Sequence, residues 1–328
     1  MLTRRLGLAV AFLVFAPPAA EISFAPSEGL TLTKTFHQAF RATLDSQDAV
    51  VVMNGEERAI EQPTPDMKLE EDEDAVFVDE YVAVGDGRVT KLKRTFKEIS
   101  SRSETVVEDG PGEKNGESAL EGLTVLFSWD PDEEEYTASY DGEAADEDLL
   151  DGLEAEVDLA ELLPDGDVAV GDTWDVDIEA FHVISDPGGD LAVVMEDDDG
   201  EDDDFDEQFE ENMEGELTGE YVGTEDVDGR ELQVIKITGE LETTVEQETD
   251  PEQFGGQGEG TQTFEFTIEV EARLYWDSKA GHARSFSGES VIGLSIETHH
   301  SAEQNGMEFE IRLTQEFSGT VTDSITFE

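Results

Sequence analysis

The chain has 328 residues, 37% of them apolar, which is enough for one large or two medium domains with real cores and excludes a wholly disordered protein. With 84 Asp and Glu against 19 Lys and Arg the net charge is −65, so nucleic acid and anionic membrane surfaces, which both require positive potential, are excluded as partners. The absence of cysteine removes disulfides, thiolate metal sites and a lipidated N-terminal cysteine.

The order of features in "MLTRRLGLAVAFLVFAPPAA" predicts a secretory signal peptide over 1–20: Arg4 and Arg5, then an apolar stretch from Leu6 to Ala16, then small residues at Ala19 and Ala20. That stretch is too short to span a bilayer comfortably. An exported protein of the periplasm, cell surface or extracellular medium is therefore expected. Its acid-rich surface, with 8 lysines in all, suits a saline, halophilic setting in which inorganic cations screen the self-repulsion.

From Leu30 to Leu44, alternating Leu30, Leu32, Phe36 and Phe40 favour a strand, although Phe36, Phe40 and Leu44 also suit a helix face. "AVFVDEYVAVGDGR" and "LTVLFSWDPDEEEYTASYDGE" each read as strand, turn, strand. Between them, Gly87 to Arg102 holds Arg88, Lys91, Lys93, Arg94, Lys97 and Arg102. In so acidic a chain these basic residues are expected to serve as internal counter-charge rather than as an anion site. A helix is predicted over about 146–163, with acidic residues in its first turn, Leu149, Leu150, Leu153 and Val157 on one face, and Pro164 as its stop.

"LLPDGDVAVGDTWDVD" follows, with Leu163–Pro164, Val168, Val170, Gly171–Asp172 and Trp174. It resembles a segment of uncharacterised secreted bacterial β-rich proteins, in which LP, a valine-containing stretch and GD-x-W follow a helix and open a strand. The later "YWDSKAGH" hairpin is similar to theirs as well. The resemblance implies a shared fold and carries no known activity. Gly171–Asp172 would make the turn and Trp174 would enter the core.

The densest charge comes next: 12 of the 16 residues from Glu196 to Glu211 are acidic. An EF-hand loop set with Gly200 at its sixth position puts Met195 first and Asp206 twelfth, where ligands including a final Glu are needed, so no such loop forms. Asp197, Asp199, Asp202 and Asp204 remain as the candidate metal ligands, offering a loose attraction for Ca2+ rather than a built site; no other cofactor is implied. Phe205, Phe209 and Met213, four apart, predict a short helix able to dock on a sheet.

In the C-terminal third, every even position from Phe264 to Trp276 is apolar or Ala, and the odd positions are mostly polar. Ile292, Leu294 and Ile296 alternate before a loop at "SAEQNG", then Met307, Phe309, Ile311, Leu313 and Phe317 continue. This period of two predicts antiparallel sheet with one wet face. The "EYV…DGR" and "WD…GE" stretches occur in both halves in the same order, 140 to 147 residues apart, which predicts an internal duplication.

The expected architecture is mainly β: antiparallel sheets in two similar units with a short helix and an acidic linker. The N-terminal β-rich unit spans 28–185, the linker 186–213 and the C-terminal unit 214–328. No G-x-S-x-G or H-E-x-x-H motif occurs, and His299 and His300, as neighbours on a strand, point to opposite faces. A non-enzymatic protein with an unassigned binding or structural role is expected, its partner an apolar ligand or an envelope protein. A carrier of a lipid or other apolar molecule in a half-open sheet is one alternative, recognised by an apolar inner face that no partner element closes. A low-affinity cation-binding surface protein is the other. An outer-membrane barrel is disfavoured by the frequent charged breaks, and a glycan-acting enzyme has no distinguishing signal among so many carboxylates.

Overall fold

A computed structural model describes residues 19–53, 55–60, 63–85, 87–107, 110–142, 145–196, 205–249, 259–304 and 307–328. The fold is mainly β and antiparallel throughout. The first strands are β1 (Thr31–Met53), β2 (Glu56–Ile60), β3 (Lys68–Gly85), β4 (Arg88–Val107), β5 (Gly110–Ser118), β6 (Thr124–Asp130) and β7 (Glu135–Tyr140). After them come β8 (Thr173–Val176), the short helix α1 (His182–Ser185), β9 (Val193–Met195) and α2 (Phe205–Glu211). Long strands complete the chain: β10 (Glu214–Val227), β11 (Arg230–Glu248), β12 (Glu259–Asp277), β13 (His282–Gln304) and β14 (Met307–Phe327).

All 14 strands join one sheet, in the order β7-β6-β4-β3-β1-β14-β13-β12-β11-β10-β8, with β2 added on β1 and β5 lying between β4 and β9. Among the described residues no ladder joins β7 to β8, so the path stays open. One buried cluster nevertheless contains Phe127 of β6, Phe77 of β3, Phe286 of β13 and Leu217 of β10 together with Val157, Leu162, Ala180 and Val183 of the 145–192 stretch. Strands from both ends of the path thus share one core. The sheet is wrapped around that inner segment, with Ile22 and Phe24 filling beside it. The alternation read from 264 to 276 is realised in β12, where Ile268, Val270, Ala272, Leu274 and Trp276 are buried.

The two halves repeat each other strand by strand. In the first the order is β1-β3-β4-β6-β7, and in the second β8-β10-β11-β12-β13. Gly29 (φ 80°) gives its N–H to the Tyr81 carbonyl at 2.8 Å, and the Tyr81 N–H returns to Leu30 at 2.9 Å. Gly171 (φ 92°) and Asp172 make the same pair with Tyr221, at 2.8 and 3.0 Å. Each tyrosine sits at a bulge, Tyr81/Ala83 and Tyr221/Gly223. Register carries the match outward: Asp79 faces Arg94 as Gly219 faces Ile237, and Leu92 faces Phe127 as Ile235 faces Leu274, two residues before Trp129 and Trp276. Glycine is required at Gly29 and Gly171 because both start their strand from the left-handed region.

Three expectations are corrected. The two repeats are not separate units across a linker: β1 and β14 pair from Lys34–Phe327 to Met53–Phe309, making one sheet of both. β8, assigned by sequence to the unit 28–185, pairs with β10 of the second repeat. The helix expected over 146–163 is two 3-10 turns, Glu147–Leu150 and Ala160–Leu162, with extended chain between them. Gly152 (φ 73°) and Leu159 (φ 58°) break any continuous helix, and the Glu154 and Ala155 carbonyls bond to Arg94 rather than within the segment. A smaller difference is that β13 runs on to Gln304, so most of "SAEQNG" is strand rather than loop. α2 is where the Phe205–Phe209 spacing places a helix. Phe209 meets Phe266 edge-on at 5.2 Å, Phe205 meets Phe264 at 5.2 Å, and Thr243 donates to the Phe209 carbonyl at 2.8 Å.

Candidate functional site

Three neighbouring strands each carry one charge at an inward position flanked by apolar residues: Leu32-Lys34-Phe36, Phe77-Asp79-Tyr81 and Leu92-Arg94-Phe96. Because side chains alternate, these charges must enter the core, and Lys34, Asp79 and Arg94 are all fully buried. Arg94 grips Asp79 through two bonds of 2.9 Å, and Lys34 lies 2.9 Å from the second oxygen of Asp79. The remaining donors cross to the inner segment. Arg94 reaches the Glu154 and Ala155 carbonyls at 2.7 and 3.0 Å, and Lys34 reaches Asp158 Oδ1 at 2.7 Å, where the Tyr81 hydroxyl also donates. Two cations and two carboxylates balance. Burial alone would raise the Asp79 pKa, but Arg94 and Lys34 overcome it and hold the carboxyl below its ordinary value. Burial and the two carboxylates push Tyr81 well above the ordinary phenol value. The cluster clamps the inner segment onto the first repeat.

A cavity of about 210 Å³ opens beside this clamp, between β4, β7 and the inner segment. Val89, Leu92, Leu162, Val183 and Phe24 give it apolar walls, and Asp158 lies on its lining. At its mouth the Arg88 guanidinium stacks on Trp129, 3.7 Å from the ring centre, and pairs with Glu156 at 3.4 Å. The Tyr136 hydroxyl donates to the Val89 carbonyl at 2.5 Å, and burial together with the Glu156 charge raises its pKa. Burial and the crowd of Glu156, Glu154, Glu179 and Asp177 raise that of Glu161.

The inner face has a second feature at the far end of the sheet. A small buried group of Ala42, Leu44, Leu294 and Phe317 marks the limit of the covered region. Beyond it the same face continues with Ala49 opposite Leu313 and Ile60, Val51 opposite Ile311, and Met53 opposite Phe309. These side chains belong to neither buried cluster. Val51, Ile311 and Leu313 are half-buried, while Met53 and Ile60 are exposed by 46% and 39%. Gln47 and Gln315, bonded at 3.3 Å, separate this row from the Phe317 group, and from Leu313 to Phe309 it runs ~13 Å at the usual strand rise.

The proposed metal ligands Asp197, Asp199, Asp202 and Asp204 lie outside the described residues. Among the described residues no group of three or more His, Asp or Glu is arranged to hold a metal. Four of the six basic residues of the 87–102 run are in ion pairs: Arg88 with Glu156, Lys93 with Asp141, Arg94 with Asp79, and Arg102 with Glu104 and Glu113. They act as counter-charge to neighbouring acids. His299 is exposed against Glu310 at 2.9 Å while His300 is buried, on opposite faces as alternation demands. Trp174 packs over Gly219, where a Cβ would stand 2.3 Å from the ring, and its Nε1 donates to the Leu162 carbonyl at 3.2 Å. Sequence reading missed the buried clamp, although its signal was present as one charge per strand at an otherwise apolar inward position.

No family model and no curated protein matches the chain. Among solved structures, the crystal structure of Acinetobacter baumannii OccAB4 aligns over 91% of this chain and 99% of its own, at 8% identity and a TM-score of 0.12, which is too slight a likeness to carry any argument. Among the described residues no helix is long and apolar enough to cross a membrane, which says nothing of strands.

Proposed function

We propose that the protein is an exported, non-enzymatic binding protein of the cell envelope or extracellular space, which carries an apolar ligand on the uncovered inner face of its half-open sheet. The observation that carries this reading is the continuous inward row on β1, β2 and β14: Ala49, Val51, Met53, Ile60, Phe309, Ile311 and Leu313. A contiguous apolar surface on the core side of a soluble fold marks a binding site more often than a structural defect. The signal-like start supports export, as does the resemblance of the GD-x-W segment to secreted bacterial proteins; residues 1–18 lie outside the described residues.

The test is binding of a neutral lipophilic fluorophore such as Nile red, which the −65 charge does not repel. Val51→Asp and Leu313→Asp each put a charge into the row, whereas Val291→Asp puts one on the outer face, where Val291 is 51% exposed. Loss of fluorescence enhancement in the first two variants alone supports the carrier reading. Equal enhancement in all of them overturns it.

A further inference from the structure

The cavity beside the clamp is separate from the far apolar face, and its polar groups have a definite character. Asp158 is 8% exposed and lines the cavity, and both bonds made to its carboxylate, from Lys34 and Tyr81, end on Oδ1. Oδ2 takes neither of these bonds, which leaves it for a further donor. The Tyr136 hydroxyl is already spent on the Val89 carbonyl, and Arg88 is held between Trp129 and Glu156. Asp158, Glu156 and Glu161 on the lining bring carboxylate acceptors, which suit a ligand that carries its own donor. Its charge follows by the same count. On and just behind the wall stand Asp79, Glu156, Asp158 and Glu161 against Lys34, Arg88 and Arg94, which leaves one negative charge in excess. The rest of the lining is apolar, and the volume of about 210 Å³ admits only a small molecule.

In the second repeat the equivalent place is filled. There Trp276, the counterpart of Trp129, is fully buried against Phe24, with ring centres 6.4 Å apart. The N-terminal stretch closes over it, Ala25 donating to the Gly281 carbonyl at 2.9 Å and Ser278 to the Glu21 carbonyl at 3.3 Å. In the first repeat Trp129 is only half-buried, and the space next to its hairpin is open.

We propose that this cavity binds a small organic cation: a protonated primary amine donating to Asp158 Oδ2, its apolar body lying against Leu92, Leu162, Val183 and Phe24. A charge-assisted bond of this kind is roughly twice as strong as a neutral one, and the excess of carboxylates over cations favours cations over anions.

The experiment is calorimetric titration of the full mature chain with benzylamine, benzyl alcohol and benzoate at matched ionic strength. The amine is expected to bind about tenfold more tightly than the alcohol, with benzoate not binding. Asp158→Asn strips the clamp of a charge and risks unfolding, so the informative variants are Glu161→Gln and Ala160→Phe. Glu161→Gln, at an exposed position, should lower amine affinity several-fold and leave alcohol affinity unchanged. Ala160→Phe, on the cavity lining, should abolish both while the circular dichroism spectrum stays native. An alcohol that binds as well as the amine, benzoate that competes with it, no binding of any of the three, or indifference to both variants overturns the proposal.

Discussion

Arg94→Ile is the sharpest perturbation of the clamp, because the second repeat carries Ile237 at the matching position. The substitution removes two bonds of 2.9 Å to Asp79 and two of 2.7 and 3.0 Å to the Glu154 and Ala155 carbonyls, all from a fully buried side chain. Breaking a buried ion pair from one side typically costs ~3–5 kcal/mol, because the partner charge is stranded. Here Asp79 keeps Lys34 at 2.9 Å, which moves the expectation to the lower end, about 3 kcal/mol. The two orphaned carbonyls add to this unless the inner segment lifts to reach water. Urea unfolding followed by far-ultraviolet circular dichroism measures the loss, and limited proteolysis around Glu154 reports whether the segment lifts. The second repeat also supplies an apolar alternative in Val176, Gly219 and Ile237. Lys34→Val, Asp79→Gly and Arg94→Ile combined with Asp158→Asn should therefore recover part of the loss suffered by Arg94→Ile alone. A cost under about 1 kcal/mol for the single variant would refute the view that the cluster holds the inner segment down.

Asp323 is 8% exposed, accepts from Gln38 at 3.0 Å, and is raised by burial from 3.8 to about 6. Between those values the folded state binds more protons than the unfolded one, so this group favours folding at low pH and costs stability as pH rises through about 6. Asp323→Asn should stabilise the protein at pH 7 by up to ~3 kcal/mol and have little effect at pH 3.5; urea midpoints of the two proteins at each pH decide it. For the acidic run, NaCl and CaCl2 at matched ionic strength should raise the thermal midpoint alike, as screening of a −65 chain requires. A rise with micromolar calcium alone, lost on truncating Glu196 to Asp206, would instead locate a specific site there.

Period-two alternation made most of this fold legible. β12 and β14 follow from their apolar positions, and the docked α2 from Phe205 and Phe209, while Met213, four residues on, lies past its end at Glu211. The repeated "EYV…DGR" and "WD" stretches pointed to the two halves that the ladders then align residue by residue. What could not be read is how those halves meet. Nothing local marks Phe327 as the partner of Lys34, since that pairing depends only on which edges remain open once the hairpins have formed. The predicted helix over 146–163 failed for a related reason. Its leucine spacing and acidic first turn are genuine local preferences, but the buried donors of Arg94 and Lys34, distant in sequence, take its carbonyls and Asp158 instead. The cavity is equally illegible in the sequence, because it is bounded by β4, β7 and a segment whose conformation is set by distant side chains.

The β1–β14 ladder also sets a timetable. β1 leaves the ribosome long before β14, so one of its two long edges waits for its partner until β14 has been made. Until then that edge is a free row of N–H and C=O groups open to any passing strand. Contacts of such sequence separation form slowly, and the incomplete intermediate is prone to aggregate. Each half expressed alone would keep one of these long edges exposed despite their likeness.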